Sequence, residues 1–182
     1  TVMLKGKSGY GKQRLAQWLS ETAHEAGMAQ VLVAEHSPIP TPGHGLPRMF
    51  AELFHTRDLH GAEVLERTTH MMKQLGLDDS YEAQALSRLL LSTSGAISAS
   101  TTLPTGALSE RLGIYERIIE RMTEHRPVVI VIQNVQWAIE SLKFAARLMR
   151  SRGSELPVLF VMTCDSEAAL QRQHEMRQIE SI

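Results

Sequence analysis

The sequence predicts a three-layer α/β fold, a parallel sheet with helices on both faces. Two observations carry that expectation. Short apolar runs of strand length alternate with longer stretches whose apolar residues recur at the helical period. One of the runs, Val128-Val129-Ile130-Val131-Ile132, is five consecutive β-branched apolar residues, the composition of a strand covered on both faces.

The elements read in order along the chain. Val2-Met3-Leu4 is the end of a buried strand, running into Gly6-Lys7-Ser8-Gly9-Tyr10-Gly11-Lys12. A helix follows with Leu15, Trp18, Leu19, Ala23 and Ala26 on one face, and Gly27 is placed to end it. Val31 to Ala34 is a second strand. His36 to Pro47 holds four prolines and two glycines and is expected to be a loop. Three helical pieces come next, marked by Met49, Phe50, Leu53 and Phe54, then by Leu65, Met72 and Leu75, then by Ala85, Leu86, Leu89 and Leu90. Residues 92–106 are rich in Ser, Thr, Gly and Pro and are expected to be a flexible loop. Leu112, Tyr115, Ile118, Ile119 and Met122 restore a helical stripe, closed by Arg126-Pro127 before the strand Val128 to Ile132. Leu142, Ala145, Ala146 and Met149 mark a further helix, Val158 to Met162 a fourth strand, and Ser166 to Ile182 a last helix. No internal repeat or second boundary is visible, so residues 1–182 are expected to form a single domain.

Composition narrows the function. Hydrophobic residues make up 43% of the 182 and charged residues 21%, ordinary for a globular protein with a real core. A formal net charge of -1, with no run of basic residues, argues against direct nucleic-acid binding. The longest apolar runs are far too short to cross a bilayer, which excludes a membrane-spanning role for these segments. The single cysteine, Cys164, excludes an internal disulfide framework and fits a reducing compartment, so a cytoplasmic location is expected. The chain opens in mid-strand at Thr1, which suggests a piece of a larger protein without a leader peptide.

The glycine loop carries the chemistry. A Walker A loop reads GxxxxGK[ST], and Gly6 to Lys12 supplies that pattern up to its last residue. Glycines permit backbone conformations that aim successive N–H groups at phosphate oxygens. The helix that follows adds the positive end of its dipole. Gly6, Ser8, Gly9, Tyr10, Gly11 and Lys12 are therefore candidate phosphate-binding residues, with Gln13 and Arg14 in the first helical turn beside them. Gln13 stands where Ser or Thr would coordinate Mg²⁺, and an amide is a poorer and bulkier magnesium ligand. A glycine-rich turn with a surface lysine is the plainer alternative; the placement between strand and helix argues against it.

After the strand Val128 to Ile132 the chain continues Gln133-Asn134-Val135-Gln136-Trp137-Ala138. Here it resembles the AAA-type ATPase domains of the STAND class found in large bacterial regulators, which often read as an apolar strand, two aspartates, a Leu-Gln-Trp-Ala-Asp run and a helix. Arg126-Pro127 before the strand, Leu156 to Thr163 as a sensor-like strand, and Gly6 to Leu15 as the phosphate loop extend the resemblance over nearly the whole chain. It implies a sheet in which the phosphate-loop strand lies beside the sensor strand, with Val128 to Ile132 and Val31 to Ala34 further out. A fifth strand and helical lid are expected beyond Ile182. The departures coincide with the metal-handling positions. Gln133 and Asn134 replace the paired acids, Ile139 the third aspartate, and Asp165 an arginine. With Gln13, these substitutions remove the obvious ligands and base of a metal-assisted step.

The resemblance therefore implies an ATP- or ADP-binding regulatory switch of a signalling protein, with hydrolysis weak or lost and no ligand set for Mg²⁺. Its candidate partners are other domains of the same polypeptide and further copies of the chain. The rival reading is a pseudo-ATPase scaffold that mediates protein–protein interaction without nucleotide; a small-molecule kinase is disfavoured by the missing acid for a phosphate acceptor. Thr163 is a candidate contact for a γ-phosphate or its water. Trp137 reads as a packing residue. The histidines His55, His60 and His70 lack ligand spacing, no CxxC or HExxH is present, and Ser8 and Ser94 form no GxSxG elbow. Cys164 has no sequence-visible base and reads as a buried thiol.

Overall fold

The computed structural model describes residues 1–39, 41, 44–91, 108–152 and 155–172. The expected loop 92–106 and most of the expected final helix lie outside these residues. The elements in order are β1 (Val2–Gly6), α1 (Lys12–Glu25), β2 (Gln30–Glu35), α2 (Gly45–Leu53), α3 (Ala62–Gln74), α4 (Ser80–Leu91), α5 (Leu108–Thr123), β3 (Val128–Gln133), a 3-10 turn (Val135–Trp137), α6 (Ile139–Arg152), β4 (Val158–Asp165) and α7 (Ser166–Leu170). They group into two compact units, Thr1–Pro40 with Thr123–Ile182, and Thr41–Met122.

The first unit is the three-layer α/β fold that the alternation predicts. Its four strands are all parallel, in the order β1-β4-β3-β2. The register pairs Gly6 with Asp165 and Glu35 with Gln133. The loop ends of all four strands therefore open at one edge of the sheet, where parallel α/β folds build their sites. On the face toward α1, Ala16, Ala29, Val129, Val131 and Val161 form a buried cluster, with Leu4, Ala23, Val31 and Leu159 packed against it. On the other face Ile130, Ile132, Phe160 and Met162 are all fully buried. Burial on both faces explains why β3 needs an unbroken apolar run.

The buried face of α1 differs from the expected one. Leu15, Trp18 and Leu19 stay 51%, 60% and 37% exposed, while Ala16 and Ser20 are buried. The helix lies directly on the sheet, and that contact line admits only small side chains at i, i+4 and i+7: Ala16, Ser20 and Ala23. A periodicity of large apolar residues points to the wrong side of such a helix. Ser20 is buried without leaving its hydroxyl orphaned, because Oγ donates to the Ala16 carbonyl at 2.7 Å. Gly27 ends the helix as expected, with φ 66 and its N–H on the His24 carbonyl at 2.9 Å.

Two other boundaries move. The expected loop His36 to Pro47 is cut short by α2, which begins at Gly45. Pro47 sits in the first turn, where a missing N–H costs no hydrogen bond. The last helix ends at Leu170, with Gln171 as its C-cap.

The second unit is helical. Phe50 of α2 and Tyr115 of α5 stack with ring centroids 4.2 Å apart at 5°. Around them Met49, Phe54, Met72, Leu86 and Ile118 are buried. Asp79 caps α4 by accepting from Tyr81 N and Glu82 N at 2.8 and 3.2 Å. Arg117 of α5 pairs with Glu82, and Tyr81 donates to Glu110 at 2.9 Å.

The covered faces of the sheet and the exposed side of α1 can be told apart by stability. Ala16→Leu should destabilise the chain by about 1–3 kcal/mol through overpacking against the sheet. Phe160→Ala should cost about 3–5 kcal/mol by leaving a cavity. Leu19→Ala, on the exposed side, should change stability by less than about 1 kcal/mol. Urea unfolding of the three variants measures all of this.

Candidate functional site

Gly6 closes β1 and Lys12 opens α1, so the glycine loop bridges strand and helix at the open edge of the sheet. Gly9 and Gly11 take φ of 81 and 76, a region that side-chain-bearing residues adopt only at a cost of roughly 1–2 kcal/mol. Between them Tyr10 stands 74% exposed at the tip. Its N–H reaches the Lys7 carbonyl at 3.4 Å. Gly11 is the N-cap of α1 and supplies no side-chain cap, and the first turn holds no acid. The first N–H groups of a helix have no intrahelical acceptor. This helix end therefore keeps its full donor capacity and positive dipole for an anion.

Lys12 does not point into bulk solvent. Its half-buried side chain crosses Gly6, and Nζ donates to the carbonyls of Gly6 and Lys7 at 2.7 and 2.6 Å. The ammonium thus lies within the loop, held by neutral acceptors. Ser8, Gln13 and Arg14 are exposed around it.

Gln133 ends β3 opposite the first turn of α1, where its Oε1 accepts from Gln13 Nε2 at 3.5 Å. Two amides thus face each other across the gap between the end of β3 and the start of α1. Among the described residues no group of three or more His, Cys, Asp or Glu could hold a metal ion. Amide oxygens carry no net charge, and Mg²⁺ sites rely on carboxylates and phosphates. This donor set does not fit magnesium.

Asn134 is in the left-handed region at φ 58, ψ 53, which asparagine tolerates better than most residues. The kink turns its N–H onto Thr163 Oγ1 at 3.1 Å and its side-chain amide onto the His36 carbonyl at 2.9 Å. His36 Nε2 and Ser141 Oγ share a further hydrogen bond at 3.0 Å, with Ser141 fully buried. Thr163 is itself 1% exposed. The ends of β2, β3 and β4 and the start of α6 are thereby joined by neutral hydrogen bonds. Sequence reasoning singled out Asn134 and Thr163 but not His36 or Ser141. Those two are 105 positions apart, and no local pattern links them.

The third corner is at the end of β4. Asp165 accepts from Glu167 N and Ala168 N at 2.9 and 3.0 Å, capping α7. The bond from Ala168, helped by that from Glu167 and by the Lys12 ammonium, holds its carboxyl below the usual range. It is an ionised helix cap at the loop's flank. Gln136 Oε1 accepts from Asp165 N at 3.3 Å, and Arg172 lies 4.5 Å over the Trp137 ring. Lys7 pairs with Glu167 at 3.3 Å, an exposed contact of small energetic weight. Ile139 begins α6 and is 38% exposed. Cys164 is fully buried, and burial pushes its thiol up, so it is no nucleophile at neutral pH.

No protein-family model matches the chain, and no curated protein does. Among solved structures, one similar chain is a bacterial conjugative coupling protein, TrwBdeltaN70, in an unbound monoclinic form. The two are 12% identical with a TM-score of 0.41, over 99% of this chain and 66% of that one. A likeness of this degree leaves the functional reading to the residues themselves.

Asp165 sets one pH dependence. A depressed native pKa stabilises the fold at pH above the unfolded value of about 3.9, and that contribution is lost as pH falls through the lower native value. Asp165→Asn should therefore be less stable than wild type at pH 6, with the difference shrinking toward pH 2. Urea midpoints across that range check it; a constant difference would mean that the charge of Asp165 has no part in the cap.

Proposed function

We propose that the chain is an adenine-nucleotide-binding regulatory domain, an ATP/ADP switch of the AAA/STAND type within a signalling protein, with hydrolysis weak or lost. The observation that carries this reading is the uncapped α1 terminus beneath a loop of two positive-φ glycines, with the Lys12 ammonium already inside it. A polyphosphate would take the N–H groups of the loop and first turn, and its oxygens would replace the two carbonyls as acceptors for Lys12. Phosphate oxygens are charged and carbonyls are not, so the exchange favours the ligand. The strand order β1-β4-β3-β2 is also the order that the sequence resemblance implies.

Binding without a cation follows from Gln13 and Gln133. A hydrolytic step needs a group to polarise water and a counter-charge on the phosphates. Asn134 is neutral, and both its amide and its N–H are engaged elsewhere. Nucleotide state would then act as a signal to neighbouring domains rather than being turned over rapidly.

The scaffold reading draws support from the same contacts seen the other way. Lys12 bonded twice to its own loop and Gln13 paired with Gln133 describe a site that is satisfied without ligand.

Calorimetry with ATP and ADP decides between them. The switch predicts binding that changes less than about threefold on adding Mg²⁺. Lys12→Ala should lose about 1.5–3 kcal/mol of it, roughly 10- to 150-fold in affinity. The double variant Gln13→Thr, Gln133→Asp should make binding magnesium-dependent. Undetectable heat at millimolar nucleotide with either metal condition would leave the scaffold.

A further inference from the structure

The solvent face of α1 is unusual for a surface helix. Arg14, Trp18 and Glu21 follow one another at i, i+4 and i+7, so they form one stripe along the helix. Trp18 is 60% exposed and Leu15 beside it 51%. Tryptophan and arginine are the residue types that most often anchor protein interfaces. On the flank toward β2 the same helix borders a groove of about 490 Å³, walled by Gln17, Glu21 and His24 and floored by Val31 and Val33. Val33 is 38% exposed, although side chains on a parallel strand are ordinarily covered on both faces. A groove of that volume is large enough to admit an indole ring.

Charge sorts along this face as well. From Leu15 to Glu35 the chain carries Glu21, Glu25 and Glu35 and neither lysine nor arginine. Among the described residues Glu21 accepts from the neutral Gln17 amide, at 2.7 Å, and has no ion-pair partner. Arg14 has no ion-pair partner among the described residues. One helix thus presents an apolar knob beside an apolar hole and, among the described residues, a cation without an ion pair two turns from an anion without one.

We propose that this face binds a second copy of the chain about a two-fold axis, each Trp18 entering the groove of the other copy. In an antiparallel crossing whose axis passes between Gln17 and Trp18, Trp18 lies opposite the second copy's Gln17, at the wall of its groove. The same crossing sets Arg14 opposite the second copy's Glu21. The two-fold repeats both contacts, so a single self-complementary patch closes the dimer without leaving a free end. Trp18 and the Val31 and Val33 floor lie outside the phosphate loop, whereas Arg14 and Gln133, which also borders the groove, are shared with the candidate nucleotide site.

Sedimentation equilibrium of the chain over about 1–200 µM tests this, with a dimer expected at micromolar Kd. Trp18→Glu should be monomeric throughout, and it should keep the thermal midpoint that the wild-type chain shows when diluted below its Kd, since the side chain is exposed. Glu21→Arg alone should weaken the dimer at least about tenfold by setting two arginines against each other. Adding Arg14→Glu to it restores both ion pairs with their signs exchanged and should recover the wild-type Kd. A wild-type chain that stays monomeric across the range would overturn the proposal. So would a dimer that survives Trp18→Glu, or a charge exchange that recovers nothing.

Discussion

The seating of Ala16 on the parallel sheet is the constraint from which the site follows. Helix α1 can approach β3 and β4 closely only because its contact line is alanine, serine and alanine. That approach places Lys12 and Gln13, one turn earlier, over the ends of the strands. The glycine loop has to span the short distance from Gly6 to Lys12, and two residues with positive φ make the turn. Any larger residue at position 16 would lift the helix and the loop with it.

What meets the loop at the sheet edge is neutral. Gln13 with Gln133, Asn134 with Thr163 and His36, and His36 with Ser141 connect three strand ends through amides, hydroxyls and one imidazole. A site built around a dication needs carboxylates held apart by the ion, because without it they repel. Amides have no such need and can bond directly to one another. The arrangement is internally consistent: each of the side-chain amides of Gln13, Gln133 and Asn134 has found a partner. The charged groups nearby, Asp165 and Lys7, are spent on a helix cap and an exposed ion pair.

The same packing explains why the large apolar residues of α1 are outside. A helix whose inner face must be small has no inner place for Leu15 or Trp18. Their exposure is a consequence of the close helix–sheet contact, which leaves α1 with an uncapped terminus at the glycine loop and an apolar flank open to solvent.

The sequence alone determined the strands and their covering, because β-branched runs and helical periodicity are local signals that report burial directly. It also located the glycine loop between β1 and α1, because glycines set between an apolar run and a helical stripe are a local signal. It misjudged the inner face of α1, because hydrophobic periodicity weighs side chains by size, whereas contact with a flat sheet selects the smallest. Only the tertiary structure decided that Lys12 lies on the Gly6 and Lys7 carbonyls, that Gln13 meets Gln133 from 120 residues away, and that Asn134 turns toward His36. Those contacts depend on strand order and register, which bring distant segments to one edge of the sheet and leave no trace in the spacing of residues along the chain.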